Sequence, residues 1–374
     1  MTHSSRRARL SAAIEALDLD AMLVTDLINV RYLSGFTGSA GALLVYADDR
    51  ASVLATDGRY RTQAARQAPD LHVAIERSGA CHLIGEAAAA GARRVGFEAH
   101  VVTVDQFDAL AAALPATATE RPVELVRASN TVEALREVKD AGEVALLRLA
   151  CEAADAALTD LVERGGLRPG RSERHVAREL EALMLDHGAD APSFETIVAA
   201  GPHSAIPHHR PTDAVLAAGD FVKIDFGALV AGYHSDMTRT FVLGPPADWQ
   251  REIYAVVEAA QRAGREALRP GAALREVDAA ARTVIGEAGY AETFGHGLGH
   301  GVGLRIHEAP GINATADGTL LAGAVVTVEP GVYLADRGGV RIEDTLVVGG
   351  GPSAPAGTPP DLLTRFPKEL TILT

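Results

Sequence analysis

The stretch AAGDFVKIDFG at residues 217–227 returns in altered form as LAGAVVTVEPG at residues 321–331. Each continues from a glycine into an apolar run that is typical of a buried β-strand. When the two stretches are aligned, Asp225 falls opposite Glu329. The alignment therefore predicts two related strands, each with an acidic residue near its end.

A second pair of similar segments precedes the first pair in the same order. LRPGRSERHV at residues 167–176 matches LRPGAALREV at residues 268–277 in six of its positions, Leu, Arg, Pro, Gly, a second Arg and Val. One short match can arise by chance, whereas two in the same order and at nearly the same separation indicate duplicated halves. We expect a pseudo-two-fold core that receives a carboxylate from each half.

The chain of 374 residues is too long for one ordinary hydrophobic core, so we expect two domains. Residues 1–130 alternate helix-like and strand-like segments, as in GALLVYAD and RRVGFE, which favours an α/β unit. A polar stretch, RASNTVEALREVKDAGE, follows, and we place the boundary near residue 130. Residues 131–374 then begin with an apolar period of three to four over 144–161, which predicts a long helix, and continue into strands.

Composition excludes several classes of protein. With 47% hydrophobic and 22% charged residues the chain is an ordinary globular protein, and a formal charge of -14 argues against a nucleic-acid partner. Cys81 and Cys151 form no CxxC pair, so neither a disulfide framework nor a thiolate zinc site is expected. We find no apolar signal core and no membrane-spanning run, and we expect a cytoplasmic protein with no membrane partner.

Four carboxylates lie in or beside segments that should be buried strands. FVKIDFGALVAGYHSDMTRTFVL is typical of two strands around a tight turn, and its even-numbered loop puts Asp225 and Asp236 on one face. Glu329 ends one valine-rich run, and Glu343 lies within another, VRIEDTLVV. The pair of aspartates could instead lie on a solvated face, and Arg341 could neutralise Glu343. Four buried carboxylates, however, need more compensation than one arginine offers, and a pair of divalent cations would supply it.

The stretch FGHGLGHGVGLRIHE, residues 294–308, alternates glycine with other residues. It lacks the GxGxxG order of a nucleotide loop, and it contains no HExxH of a zinc-protease helix. Alternating glycines leave one strand face bare, so that another backbone or a ligand can come close. His296 and His300 point to the opposite face, where either a structural role or metal binding is open to them.

Five of these residues with their local motifs resemble the ligand signature of the dinuclear metallopeptidases with the pita-bread fold: Asp225 in KIDFG, Asp236 in YHSDMTRT, His300 in GHGVGLRIHE, Glu329 in VEPGVY and Glu343 in RIEDT. The resemblance implies an α+β catalytic domain with internal pseudo-two-fold symmetry, preceded by a creatinase-type N-terminal α/β domain. It also implies two divalent metal ions. The oxygen-rich ligand set suits manganese, which we expect, and cobalt, iron or zinc as alternatives.

The resemblance also implies roles for individual residues. Asp225 would bind one ion, His300 and Glu329 the other, and Asp236 and Glu343 would bridge the two. Glu329 would carry a proton to the departing nitrogen after an ionised water attacks the carbonyl before proline. His208 would lie near the leaving proline, with the adjacent His209 as the alternative. His307 would stabilise the oxyanion, His296 would shape the proline site, and Arg341 would contact substrate and orient Glu343.

The segments RYLSGFTGSAGALLVY, TDGRYRTQA and SAIPHHRPTD resemble aminopeptidase P, which removes the residue before a proline in second position of a peptide. We therefore predict an Xaa-Pro aminopeptidase. The alternative is an Xaa-Pro dipeptidase, or prolidase, restricted to dipeptides, and a remote alternative is a catalytically silent peptide-binding homologue. A metallophosphatase would need cationic groups for phosphate, whereas these motifs are rich in glycine and histidine. The resemblance further implies a homodimer.

Overall fold

The computed structural model describes residues 1–114, 123–351, 354–355 and 357–373. These residues fall into two compact units, Met1–Arg136 and Glu137–Thr374. The division lies a few residues beyond the boundary that we place near residue 130. The difference is one short helix, Thr131–Arg136, which belongs to the N-terminal unit.

The N-terminal unit is a layered α/β structure. Its described strands are β1 (Ala21–Val24), β2 (Ala42–Tyr46), β3 (Val53–Thr56), β4 (His72–Ile75), β5 (Arg94–Phe97) and β6 (Glu124–Arg127). Its described helices are α1 (His3–Ala16), α2 (Leu27–Ser34), α3 (Arg61–Gln67), α4 (Gly79–Ala89), α5 (Val104–Ala113) and α6 (Thr131–Arg136). The alternation of helices and strands agrees with the α/β class predicted for this part of the chain.

These strands form one mixed sheet in the order β4-β3-β2-β1-β5-β6. β2 runs antiparallel to both of its neighbours, and β1, β5 and β6 run parallel to one another. Both faces of β1 to β3 are buried, which explains why these strands read as continuous apolar runs. Leu83, Ile84 and Ala87 of α4 pack against the sheet.

The C-terminal unit carries all of the predicted metal ligands. Its described helices are α7 (Ala141–Glu163), α8 (Glu173–Asp186), α9 (Asp248–Ala267) and α10 (Leu274–Glu287). Its described strands are β7 (Ala191–Pro192), β8 (Ile197–Ala200), β9 (Phe221–Phe226), β10 (Ala228–Val230), β11 (Tyr233–His234), β12 (Met237–Leu243), β13 (Gly299–Gly301), β14 (Glu308–Ile312), β15 (Val325–Val328), β16 (Gly331–Leu334), β17 (Gly338–Arg341), β18 (Asp344–Val347), β19 (Asp361–Leu362) and β20 (Ile372–Leu373). Across the described residues of both units, we find no helix with the length and hydropathy that crossing a lipid bilayer requires.

Two sheets with matching helix pairs make up most of this unit. One sheet has the order β20-β12-β9-β8, and the other has the order β14-β13-β15-β18-β19. α7 and α8 pack their apolar faces onto β8, β9 and β12 in one hydrophobic cluster. α9 and α10 do the same on β15 and β18 in a second cluster. The unit therefore consists of two halves, each with a sheet covered by two helices.

Backbone hydrogen bonds repeat between the halves at the positions of the sequence repeats. Gly170 donates to Leu216 O at 3.0 Å, and Gly271 donates to Leu320 O at 2.8 Å. An isolated bridge joins Ser172 to Val215 in the first half, and its counterpart joins Ala273 to Thr319. These matching contacts confirm the duplication that the sequence predicts.

The alternating glycines of the 294–308 stretch let neighbouring backbones approach closely. A Cβ atom on Gly299 would lie 2.1 Å from Thr327 O, and one on Gly301 would lie 2.1 Å from Ala309 O. Real Cβ atoms do not come this near to a carbonyl oxygen, so only glycine fits at these two positions without a shift of backbone. The close approach places β13 between β14 and β15, with His300 at its centre.

Substitution of Gly299 by alanine should therefore destabilise the protein. Because the clash is with backbone, relief requires β13 and β15 to separate, and we expect a loss of about 1–3 kcal/mol or more. Thermal unfolding of metal-free protein should show a Tm lower by several degrees. Gly295→Ala is the matched control, because nothing lies within 4 Å of a Cβ at Gly295. Equal Tm values for the two variants would contradict the close-approach account.

Candidate metal centre

A two-residue turn sets the register of the first two aspartates. Ala231 and Gly232 have φ of 46° and 80°, so the chain reverses directly between β10 and β11. The register continues into β9 and β12, where Asp225 pairs with Thr238. Asp236 precedes β12 by one residue and is two positions from Thr238, so it shares a face with Asp225 as a diagonal neighbour. Both side chains are buried.

The second half contributes the other acidic residues at matching positions. Glu329 follows the end of β15, and Glu343 precedes the start of β18. Their backbones are fixed by two hydrogen bonds, from Glu329 N to Leu298 O at 2.8 Å and from Glu343 N to Thr238 O at 3.1 Å. The latter bond joins the two halves directly, because Thr238 belongs to the first and Glu343 to the second.

The side chains converge around His300. Its Nε2 lies 3.5 Å from Asp236 Oδ2 and 3.5 Å from Glu329 Oε1. Asp236, His300 and Glu343 each offer a ligand atom within 4.8 Å of the others. Thr238 Oγ1 donates to Glu343 Oε2 at 2.6 Å and so orients that carboxylate. The structure thus brings together His300 and the carboxylates that the sequence analysis selects.

Arg341 makes no direct hydrogen bond to Glu343 among the described residues and reaches it only through Thr238. Its Nη2 is bonded instead to Asp225 Oδ2, and its Nε donates to Thr238 Oγ1 at 3.0 Å. The remaining Nη1 donates to Tyr333 OH at 3.0 Å. Thr238 Oγ1 in turn donates to Glu343 Oε2, so Arg341 is linked to Glu343 through this hydroxyl group. Arg341 is buried beneath the carboxylates.

Two observations show that the residues fit bound cations. Asp225 Oδ1 is buried and has no hydrogen-bond partner among the described residues. His300 Nδ1 donates to Gly301 O at 3.0 Å, which leaves the lone pair of Nε2 facing two carboxylate oxygens. Burial lowers the pKa of His300 to about 4, so the ring is neutral at pH 7. A lone pair that faces anionic oxygens is stable only when a proton or a cation lies between them.

The pKa values of the carboxyl groups reflect the same close packing of buried acidic residues. Burial and repulsion from Glu343 raise the pKa of Asp236 well above its ordinary value. Burial and repulsion from Glu329 do the same to the pKa of Glu343. Burial raises the pKa of Glu329 to about 8, although Arg341 opposes the shift. Without a cation Glu329 therefore holds a proton at neutral pH, and a divalent ion bound there would displace that proton.

Asp225, Asp236, Glu329 and Glu343 form an acidic cluster that lies where two cavities meet. The first, of about 320 Å³, is lined by Phe194, Glu195, Ile197, His208, His209, Arg210, Asp225, Asp236, His300, Ile306, His307, Glu329 and Glu343. The second, of about 700 Å³, is lined by His208, Arg282, Phe294, Gly295, His296, Gly297, Gly299, His300, His307, Gly311, Ile312, Asn313, Ala314, Thr315 and Glu329. His208, His300, His307 and Glu329 line both. A ligand that spans the cavities therefore passes over the acidic cluster.

The histidines near the acidic residues differ in their exposure and in their hydrogen-bond partners. His208 is exposed in both cavities, whereas His209 Nε2 donates to the buried carboxylate of Glu173 at 2.8 Å. His307 is exposed, and its ring lies 4.3 Å from that of His300.

His296 accepts from Tyr333 OH at 2.9 Å, and burial lowers its pKa to about 4. His234 is bonded to Ser193 at 2.9 Å and does not line either cavity.

Three polar residues near the site are missed by the sequence analysis. Glu173 accepts hydrogen bonds from Ala200, His203, His209 and Thr212. Tyr333 joins His296 to Arg341 by hydrogen bonds.

Lys223 is fully buried on β9, on the same face as Asp225 two residues away. Burial and Arg341 lower its pKa well below the ordinary value. A lysine in the otherwise apolar run FVKI is the sequence signal for this last residue.

Comparisons with known proteins agree with this geometry. Residues 145–349 match metallopeptidase family M24, and residues 6–138 match the creatinase/prolidase N-terminal domain. A solved Xaa-Pro dipeptidase from Bacillus anthracis has a TM-score of 0.91 and 38% identity, with 100% of both chains covered. A solved X-Pro aminopeptidase from Thermotoga maritima has a TM-score of 0.86 and 32% identity over 96% of this chain and 99% of that one. An Xaa-Pro dipeptidase of Pyrococcus horikoshii is 35% identical over 91% of this chain and 94% of its own length.

The pKa shifts predict how metal binding depends on pH. The folded-state pKa of Glu329, about 8, lies above its ordinary value of 4.5, so folding favours the protonated form. In metal-free protein this stabilising contribution is present at low pH and is lost as pH rises from about 4.5 through 8. Metal removes the repulsion, and fewer protons compete with it at high pH. The rise in Tm on addition of Mn²⁺ should therefore be larger at pH 8 than at pH 6.

Two variants serve as controls for this measurement. Asp236→Asn should lose most of the Mn²⁺-dependent rise in Tm at both pH values, because a ligand is removed. Asp248→Asn changes an exposed aspartate at the start of α9 and should keep it. A rise that is equal at pH 6 and pH 8, or that survives in Asp236→Asn, would show that the ion binds elsewhere.

Proposed function

Because the chain belongs to metallopeptidase family M24 and carries the creatinase/prolidase N-terminal domain, we propose that it hydrolyses the peptide bond preceding proline in short peptides. The observation that carries this proposal is the place of the acidic cluster, between two cavities that share His208, His307 and Glu329. A peptide that occupies both cavities would present its scissile bond to these side chains. No nucleic acid is expected as a partner.

We favour the Xaa-Pro dipeptidase over the Xaa-Pro aminopeptidase that the sequence motifs predict. The relatives from Bacillus anthracis and Pyrococcus horikoshii are named as dipeptidases, and the former is similar over its whole length. The aminopeptidase from Thermotoga maritima is also similar over nearly its whole length, so the distinction is one for experiment. Both enzymes would use the same chemistry.

The proposed ligands for two divalent ions are Asp225, Asp236, His300, Glu329 and Glu343. The unpartnered oxygen of Asp225 and the free Nε2 of His300 are the atoms that support this assignment. When bound, such ions lower the pKa of water enough to supply a nucleophile at neutral pH. Manganese is the expected metal, with cobalt, iron and zinc as alternatives.

Side chains around the cluster would handle protons and charge. Glu329 lines both cavities, and its carboxyl group can receive a proton and pass it to the leaving proline nitrogen. His307 is exposed in the same space and can donate a hydrogen bond to the oxyanion that forms from the scissile carbonyl. His208 lines both cavities together with His307 and can contact the proline side of the substrate.

A chain of hydrogen bonds would shape the site for proline. Arg341 binds Asp225 at one end and donates to Tyr333 OH at the other, and Tyr333 donates to His296. The neutral His296 ring packs edge-on against Phe294 at 4.9 Å, so it offers an apolar surface to the second cavity. Proline has no N–H to donate, and an apolar ring surface suits it better than a hydrogen-bond acceptor. We propose that Arg341 acts here through Asp225 and Tyr333.

A substrate panel with Mn²⁺ tests the proposed reaction. Purified protein should hydrolyse an Xaa-Pro dipeptide and should show little activity on the same dipeptide with alanine in place of proline. An Xaa-Pro tripeptide should be cleaved at least about tenfold more slowly than the dipeptide, as kcat/KM, if the enzyme is a dipeptidase. Preference for the tripeptide would favour the aminopeptidase, and hydrolysis of phosphate esters alone would overturn both.

His307→Ala tests the assignment of the oxyanion donor. We expect kcat to fall about 100-fold or more, because one hydrogen bond to developing charge is lost, with KM nearly unchanged. Bound metal, measured by elemental analysis, should stay at the wild-type level because His307 is not among the proposed ligands. His187→Ala, which removes an exposed histidine bonded to Asp160, is the matched control. A wild-type kcat for His307→Ala would remove this residue from the mechanism.

A further inference from the structure

The segment that carries His208 is held to the rest of the unit at several buried points. On one side, Glu173 accepts from Ala200 N at 2.9 Å, His203 at 2.8 Å, His209 at 2.8 Å and both Thr212 N and Thr212 Oγ1, at 3.0 and 2.8 Å. These five bonds occupy both carboxylate oxygens. Although the Glu173, His203 and His209 side chains are close enough to share an ion, the carboxylate is used as a backbone anchor.

The other side of the segment is held by Lys223. Its Nζ donates to Ile206 O at 2.7 Å and to Pro207 O at 3.3 Å, and it lies 5.1 Å from the centre of the Tyr333 ring. Arg341 Nη1 donates to the same Pro207 O at 3.2 Å. The side chains of two buried basic residues therefore meet at the carbonyl of the residue that immediately precedes His208.

Burial of the Lys223 amine costs free energy of folding unless its hydrogen bonds compensate for the loss of water. Lys223 has 0% exposure, and among the described residues no carboxylate lies within ion-pair distance of its ammonium group. A buried lysine that only filled space on β9 would be more stable as an apolar residue, like its strand neighbours Val222 and Ile224. The carbonyl oxygens of Ile206 and Pro207 would then lose their donor. The Lys223 amine thus holds the two carbonyl groups that precede His208 in place.

We propose that Lys223 is a positioning residue for the reaction: together with Arg341 it fixes the Pro207 peptide and so holds His208 at the junction of the two cavities. Its kinetic consequence rests on the proposed function of His208. Lys223 lines neither cavity, so we do not expect it to contact substrate. Its effect on catalysis should therefore pass through His208 and should vanish when His208 is absent.

A double-mutant cycle tests this coupling. Lys223→Met keeps the length of the side chain and removes the donor, and we expect kcat/KM for an Xaa-Pro dipeptide to fall at least about tenfold in the wild-type background. In the His208→Ala background the same change should cost less than about twofold. An equal loss in both backgrounds would overturn the proposal, since Lys223 would then act on stability alone or on another group.

Hydrogen exchange gives a readout that does not depend on activity. Peptides that cover residues 201–212 should take up deuterium faster in Lys223→Met than in wild type, while bound metal stays at the wild-type level. Unchanged exchange in 201–212 would overturn the proposal even if activity fell. If no Xaa-Pro peptide is hydrolysed by wild type but exchange is faster, the proposed function fails and the positioning of the segment stands.

Tyr254→Phe is the matched control for both measurements. It removes one buried hydrogen bond to a backbone carbonyl, from Tyr254 OH to Lys368 O at 2.7 Å, at a place that touches neither cavity. Its Tm should fall by an amount similar to that of Lys223→Met, because both lose bonds to loop carbonyls. Its kcat/KM and the exchange of residues 201–212 should stay at wild-type values. Equal kinetic losses in both variants would identify a general effect of reduced stability.

Discussion

Mutual repulsion among buried carboxylates is the constraint on which the catalytic unit depends. Asp236, Glu329 and Glu343 all have pKa values above their ordinary range, because they are buried together and cannot all ionise. Such a cluster of buried carboxylates needs positive charge close to it on one side. It also needs a rigid set of strands that holds the carboxylates together. Arg341 supplies part of the charge, and the free Nε2 of His300 marks the side that is open to cations.

The frame comes from duplication. Each half of the unit covers a sheet with two helices and brings acidic residues to the ends of its strands, so the two halves meet at a surface that neither could enclose alone. The bond from Glu343 N to Thr238 O joins them at this surface. Gly299 and Gly301 let three strands come together around His300 without side chains between them. Rigidity at the centre thus follows from close backbone contact.

The polar residues around the acidic cluster fall into two groups, those that can contact a peptide and those that position other parts of the protein. His208 and His307 are exposed in the cavities, where they can contact a peptide, whereas Lys223 and Glu173 are buried and contact only the protein. Such buried polar groups are stable because their hydrogen bonds are satisfied, and a satisfied network has a single arrangement. The free-energy cost of burying Lys223 is offset by its hydrogen bonds to Ile206 O and Pro207 O, and these bonds fix the backbone next to His208.

The sequence by itself determined the duplication and pointed to the four acidic residues in or beside apolar strands, because repeats and strand periodicity are local patterns that survive without coordinates. The choice of His300 came from the resemblance of its motif to a known family. Only the tertiary structure decided which side chains pair. Arg341 bonds directly to Asp225 and not to the nearby Glu343, and His208 lines both cavities, whereas His209 lines only the first and is held by Glu173. The first choice depends on a contact between residues 116 positions apart, and the second on a contact between residues 36 positions apart. Such contacts leave no local signal in the chain.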